Sequence, residues 1–189
     1  SSYGGMKSTC VDALAHMIES RLNTNANAFS RAYAEEGMRL WASCKGCLET
    51  DERFAHMTDD EFSTFMQASV LAGMAIAYTG TSIPHGLSYT LTYENGVPHG
   101  KAVGVFLSGF LKKYGDSIEA EYVVKQLLDF DDLDAFRDYI RTLFCKLDMS
   151  EELWKKDRDG ILANPAKLKN YPFELTADVL DDYVRYYNA

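Results

Sequence analysis

Cysteine, proline and histidine are all scarce in this chain, four of each among 189 residues, and each scarcity excludes something. Four cysteines, Cys10, Cys44, Cys47 and Cys145, are few for a chain that is long enough to bury a core without disulfide staples, and a reducing cytoplasm fits them. Cys44 and Cys47 have the spacing of half a zinc site or a redox pair. No second pair completes the zinc site and no strand precedes the motif as in a thioredoxin, so both read as structural thiols. Cations are also short: 19 Lys and Arg against 28 Asp and Glu leave a net charge of −9, which repels nucleic acid and anionic membrane surfaces. No apolar run nears the roughly 20 residues of a membrane helix, and the start SSYGGMKSTC has no basic region followed by an apolar one. No segment alternates as a half-buried strand does. What remains is an all-α protein, expected as one compact helical domain over residues 1–189 in the cytoplasm, with small molecules or other proteins as partners.

Helical spacing is what the sequence does have. Ser8 or Thr9 is placed to cap a helix whose apolar positions Val11, Leu14, Met17, Ile18 and Leu22 follow the 3, 4 pattern, and a second helix is expected from about Phe29 to Trp41. Thr58-Asp59-Asp60-Glu61 is a capping box ahead of the segment Phe62 to Tyr78. That segment is apolar almost all round and carries the small residues Ala68, Ser69, Ala72, Gly73, Ala75 and Ala77, which places it at the centre of a bundle. Residues 79–100, rich in Gly, Pro, Thr and Ser, are expected to be the longest irregular stretch, with a turn at Asn95-Gly96. Helical patterns resume at about 101–114, 117–128, 131–146, 150–162 and 177–187, the last two capped by Ser150 and Thr176.

Half the prolines and half the histidines fall in two copies of one tripeptide, Pro84-His85-Gly86 and Pro98-His99-Gly100. Proline fixes the backbone just before each histidine and glycine removes bulk just after, which suits rigid ligands at loop-to-helix junctions. A third histidine, His16, follows Asp12 by four positions, so the two project from one helix face about 40° apart. One carboxylate and three imidazoles are donors for a divalent iron or zinc ion, and the net +1 of such a centre suits polarising an oxygen. Each element also has an ordinary reading: Asp and His at i, i+4 make a surface ion pair, and a Pro-His-Gly loop commonly leaves its histidine solvated. Three of four histidines in such settings favour the metal. His56, in the polar stretch before the capping box, reads as solvated, and Tyr183, Tyr186 and Tyr187 read as packing.

These residues match a family pattern. Thr9-Cys-Val-Asp12-Ala-Leu-Ala-His16-Met-Ile-Glu19-Ser resembles the segment of iron-containing (group III) alcohol dehydrogenases that supplies an aspartate and a histidine to the metal. Ala68-Ser-Val-Leu-Ala-Gly-Met-Ala75 is similar to the helix that follows in that family, and His85 through Pro98-His99-Gly100 resembles its paired-histidine signature. The resemblance runs from about residue 5 to 115 and continues more loosely to the C-terminus. It implies the all-helical, dehydroquinate synthase-like C-terminal domain of an NAD(P)-dependent alcohol dehydrogenase, with Asp12, His16, His85 and His99 holding Fe2+ or Zn2+. It also implies a small alcohol or aldehyde substrate, and a homo-oligomer for the full-length enzyme.

Two departures matter. An upstream α/β domain binds NAD or NADP through a glycine-rich turn in that family, whereas Gly4-Gly5 here is too short and has no strand before it. The cofactor would therefore be held only with an N-terminal nucleotide-binding domain absent from these residues. Where many members carry a further histidine near the nicotinamide, this chain has Tyr89, whose hydroxyl can still donate a hydrogen bond and is the candidate catalytic residue. Two other classes stay open: a stand-alone helical metal-binding or interaction module, and a metal-dependent hydrolase or lyase. The second needs a general base, and Glu19, three residues after His16, would have to face the site.

Overall fold

The computed structural model describes residues 2–115 and 117–189, and among them no strand occurs. The α-helices are α1 (Tyr3–Arg21), α2 (Ala28–Cys44), α3 (Asp51–Ala55), α4 (Asp59–Thr79), α5 (Ile83–Asn95), α6 (His99–Lys112), α7 (Ile118–Glu121), α8 (Leu133–Phe144), α9 (Glu151–Leu162), α10 (Pro165–Leu168) and α11 (Ala177–Asn188). A 3-10 turn over Lys45–Leu48 follows α2, and a wider π-type turn over Tyr122–Leu127 continues α7. None of the helices is long and apolar enough to cross a membrane.

Helix α1 starts earlier than Ser8 or Thr9. The Ser2 hydroxyl accepts from the Gly5 amide at 3.3 Å and caps it, while the Thr9 hydroxyl donates back to the Gly5 carbonyl and caps nothing. Once started, α1 is apolar on most sides: Val11, Leu14, Ala15, Met17 and Ile18 are fully buried. It packs against α2, α4 and α6, and α6 in turn packs against α5, α8 and α11. Trp41 on α2 ties the layer down by donating its indole N–H to the Cys10 carbonyl at 2.9 Å. The centre of the bundle is thus α1 with α6.

Helix α4 is not at that centre. It buries Phe65, Ala68, Ala72 and Ala75 but exposes Phe62, Met66, Val70, Met74 and Tyr78, one residue in every four. Its small residues do admit a close neighbour, since a Cβ on Gly37 of α2 would stand 3.5 Å from the Ala68 carbonyl oxygen, yet only one face of α4 is covered.

Residues 79–100 are also more regular than their composition suggests. Pro84 occupies the first turn of α5, where a missing N–H leaves no bond unmade. Asn95-Gly96 is where that helix ends, with Gly96 at φ 64° in the left-handed conformation that caps a C-terminus cheaply only as glycine. Helix α6 then begins at His99, directly after Pro98.

Candidate metal centre

Three helices bring four side chains together: the donor atoms of Asp12, His16 and His85 all lie within 4.8 Å of one another, and His99 joins them through Asp12. Asp12 and His16 come from α1, His85 from the first turn of α5 and His99 from the first residue of α6. Asp12 is the hub: His85 Nε2 lies 3.2 Å and His99 Nε2 3.5 Å from its Oδ1, and His16 Nδ1 lies 3.9 Å from its Oδ2. The rings of His16 and His85 stack with centroids 4.3 Å apart, and those of His85 and His99 are tilted at 5.5 Å. Donors held about 2.1 Å from a tetrahedral ion are roughly 3.4 Å from one another, so the separations to Asp12 suit a shared divalent ion. His85 is buried, with 3% of its side chain exposed, whereas His99 is 37% exposed, so the cluster opens to solvent on the Asp12 and His99 side.

The doubled Pro-His-Gly has a packing reason. A Cβ on Gly100 would stand 1.7 Å from the Ser8 carbonyl oxygen, and the Gly100 amide donates to the Ser8 hydroxyl at 3.0 Å. A Cβ on Gly86 would stand 2.3 Å from Ile161 Cδ1. Each glycine lets a second helix lie against the backbone beside its histidine, α9 at Gly86 and α1 at Gly100, and the second of these contacts holds His99 close to Asp12.

Glu19 supports the cluster from behind. It is fully buried. Its Oε1 accepts from the Ser82 and His85 amides at 3.2 and 3.1 Å, and its Oε2 faces His85 Nδ1 in a short contact. With Nδ1–H donated to Glu19, Nε2 faces Asp12 and is the nitrogen that offers a lone pair once its own proton is given up, as a ligand must. Thr92 Oγ1 lies 3.4 Å from His99 Nδ1 and orients that ring in the same sense. Glu19 therefore does not face the open side as a base would. The sequence put it three residues after His16 but held no sign of the two amides and the ring that it serves.

Electrostatics agree with a cation-binding cluster. Burial opposes ionisation of Asp12, but the hydrogen bond from His85 and the nearby imidazoles outweigh it and hold the carboxyl below its ordinary range. Burial and His85 lower His16, keeping that ring neutral and able to donate a lone pair. Burial also opposes charge on His85, yet Glu19 and Asp12 together raise that imidazole to about 9. Without a cation, a proton on His85 is the positive charge that these carboxylates hold.

The other residues singled out by the sequence fall where their chemistry directs. Tyr89 is one turn after His85 and lies on the rim, its ring stacked 6.4 Å from His99 and 6.4 Å from Tyr93, with its hydroxyl raised by burial. His56 sits on the surface, its Nδ1 2.8 Å from the Glu52 carbonyl. Cys10, Cys44 and Cys47 are buried free thiols, with burial pushing Cys10 up to about 12 and Cys47 to about 11. Tyr183 and Tyr187 are buried in packing, and Tyr183 shares a hydroxyl contact of 2.9 Å with Tyr171.

Comparison with known proteins gives a consistent set of relatives. Residues 6–159 match the model of the Fe-containing alcohol dehydrogenase family, C-terminal. The 4-hydroxybutyrate dehydrogenase of Clostridium kluyveri is 25% identical over 194 residues, covering 94% of this chain and 52% of that protein. Among solved structures, an iron-containing alcohol dehydrogenase from Thermotoga maritima superposes with a TM-score of 0.77 at 31% identity, over 95% of this chain and 48% of its own. A sulfoacetaldehyde reductase from Bifidobacterium kashiwanohense, solved in complex with NAD+, shares the fold with a TM-score of 0.79 at 24% identity, over 98% of this chain and 51% of its own. The chain thus spans about half the length of each.

Proposed function

This chain belongs to the Fe-containing alcohol dehydrogenase family, as its C-terminal domain, and from that premise we propose that it is the metal-binding half of an NAD(P)-dependent enzyme acting on a small alcohol or aldehyde. The observation that carries the reading is the convergence of Asp12, His16, His85 and His99, one carboxylate and three imidazoles, from three helices. In this reading those four residues hold iron(II) or zinc, both of which accept that donor set. A bound ion supplies Lewis acidity toward the alcohol or aldehyde oxygen.

The rest is assigned to the chain's own residues. Glu19 and Thr92 hold the His85 and His99 rings so that each presents Nε2 to the open side of Asp12. Tyr89, stacked on His99 at the rim, offers a phenolic O–H within the approach to the site and is the candidate for moving a proton there. Hydride transfer also needs a nicotinamide carbon held in near-attack geometry against the substrate carbon. That task belongs to a nucleotide-binding domain in the half of the relatives' length that these residues do not span. The 189 residues alone are therefore inactive as a dehydrogenase and bind NAD or NADP weakly.

Elemental analysis and competition against a chelator of known affinity test the assignment. About one divalent ion per wild-type chain is expected, with affinity falling by orders of magnitude in His99→Ala while His56→Ala matches wild type. A folded His99→Ala protein with undiminished affinity would sink the ligand set. Micromolar NAD binding by these residues alone, seen by calorimetry, would sink the division of labour.

A further inference from the structure

We propose that Lys167 anchors an anionic group carried by the substrate, a carboxylate or sulfonate set back along the carbon chain from the oxygen at the metal centre. The inference rests on the functional reading above for where that oxygen lies, and it adds the chemical class of the alcohol or aldehyde.

His85 and Tyr89 are one turn apart at the start of α5, and Thr81 lies just before that helix, two residues ahead of its first residue Ile83. Lys167, from the single turn α10, lies across that stretch. Its ammonium donates to the Thr81 hydroxyl in a short contact and stands 5.6 Å from the Tyr89 ring centroid. Its stem packs where Gly86 has no side chain, since a Cβ there would be 3.4 Å from Lys167 Cγ. The Tyr89 ring stacks in turn on His99, so only two ring contacts separate the ammonium from the open edge of the cluster.

What sets this lysine apart is its place near the cluster, half-buried against Tyr89 and without an ion pair among the described residues. Lys112, Lys125 and Lys156 each pair with a carboxylate on the surface. The polar partner of Lys167 is a hydroxyl, and its other neighbour is an aromatic face. Half-burial opposes its charge and the buried Glu19 carboxylate favours it from a distance; with no carboxylate of the described residues in ion-pair reach, the ammonium still gains from an anion that can touch it. In a chain of net charge −9, such a cation beside the metal cluster selects a small oxyanion against the field of the molecule. The Thr81 hydroxyl, which accepts from the ammonium, and the Tyr89 ring complete the surroundings of that charge.

A nucleotide phosphate has the same chemistry, and the test separates the two sources. Zinc-loaded wild type, K167M and K167R are titrated with ω-hydroxycarboxylates of three to five carbons, with neutral alcohols of the same length and with nicotinamide mononucleotide, while the His99 and Tyr89 ring resonances are followed by NMR. Wild type is expected to bind at least one hydroxycarboxylate ten times or more tighter than its neutral counterpart. K167M should erase that preference without changing the neutral alcohols, and K167R should keep most of it. No preference in wild type, or a preference that survives in K167M, overturns the inference. So does a lysine dependence seen with the mononucleotide and not with the hydroxycarboxylates. Zinc titration keeps the two levels apart: a wild type that takes up no zinc overturns the functional reading and this inference with it, whereas one that takes up zinc but shows no charge preference overturns only the inference.

Discussion

Glu19 holds His85 by main chain and ring together: one carboxylate oxygen accepts the backbone amide at 3.1 Å and the other faces Nδ1. Ring and backbone are thereby fixed to the same group, and Nε2 has one direction left, toward Asp12 at 3.2 Å. The state of the open side is decided from behind it.

Replacing Glu19 by Gln should leave the fold in place but weaken metal binding about 10- to 100-fold, the usual effect of losing a carboxylate behind a ligating histidine. Gln has one acceptor oxygen for the work of two. Glu19→Ala should cost on the order of 3–5 kcal/mol, because two buried amides and a ring N–H lose their acceptor. Chelator competition and urea denaturation report the two effects separately. Equal metal affinity in wild type and Glu19→Gln would mean that other contacts orient the ring.

Gly100→Ala should be among the most damaging single methyl additions in the chain. The new Cβ would meet a backbone oxygen of α1 at 1.7 Å, so α1 and α6 must separate and draw His99 away from Asp12. The loss should reach or exceed the upper end of the roughly 1–3 kcal/mol typical of overpacking. Gly73→Ala, where nothing lies within 4 Å, should instead stabilise α4 by about 0.5–1 kcal/mol. Urea midpoints for the two variants should move in opposite directions.

Stability should fall as pH rises through the range that Asp157 controls. This residue is buried on α9, one of its oxygens has no hydrogen-bond partner, and burial pushes its carboxyl up to about 7. An unfolded aspartate releases its proton near pH 4, so between about 4 and 7 the folded state holds a proton that the unfolded chain has lost. Unfolding is then favoured by each rise in pH until both states are ionised. Asp157→Asn should remove that slope, giving a variant whose advantage in unfolding free energy, read from urea denaturation, grows from pH 5 to pH 8, to about 1–3 kcal/mol. An advantage that stays constant across the range would assign the proton elsewhere.

One thiol in four should react in the native state. Cys145 is exposed, whereas Cys10, Cys44 and Cys47 are buried and the first and last have raised pKa values, which keeps them as unreactive thiols. A thiol reagent should titrate about one group rapidly in buffer and four in denaturant. Rapid reaction of a second group would show that the packing around α2 opens readily.

Much of the candidate site was legible because its signals are local. Asp12 and His16 are one turn apart on a helix, and each remaining histidine carries a proline before it and a glycine after it. The same local signals misled over residues 79–100: Pro84 and Gly86 look like loop residues, but one sits in a first helical turn and the other under a crossing helix. Phe62 to Tyr78 reads as a central helix because it is apolar almost all round, and apolarity does not say which faces a given chain covers. Glu19 and Lys167 were out of reach for a different reason. Their partners, His85 and Thr81, are 66 and 86 positions away, and nothing in either short stretch of sequence points to the other.

The burial of α1 also sets an order of events during synthesis. Its apolar belt is closed by α6, which begins at His99. At about 5–20 residues per second on a ribosome, the two are made roughly 5–20 s apart. For that interval α1 has only α2 and, later, α4 to shield Val11 and Leu14 from water and from other nascent chains. A polypeptide that ends before α6 leaves the apolar belt of α1 uncovered, so the stretch that brings His99 to Asp12 is also the one that buries Val11 and Leu14.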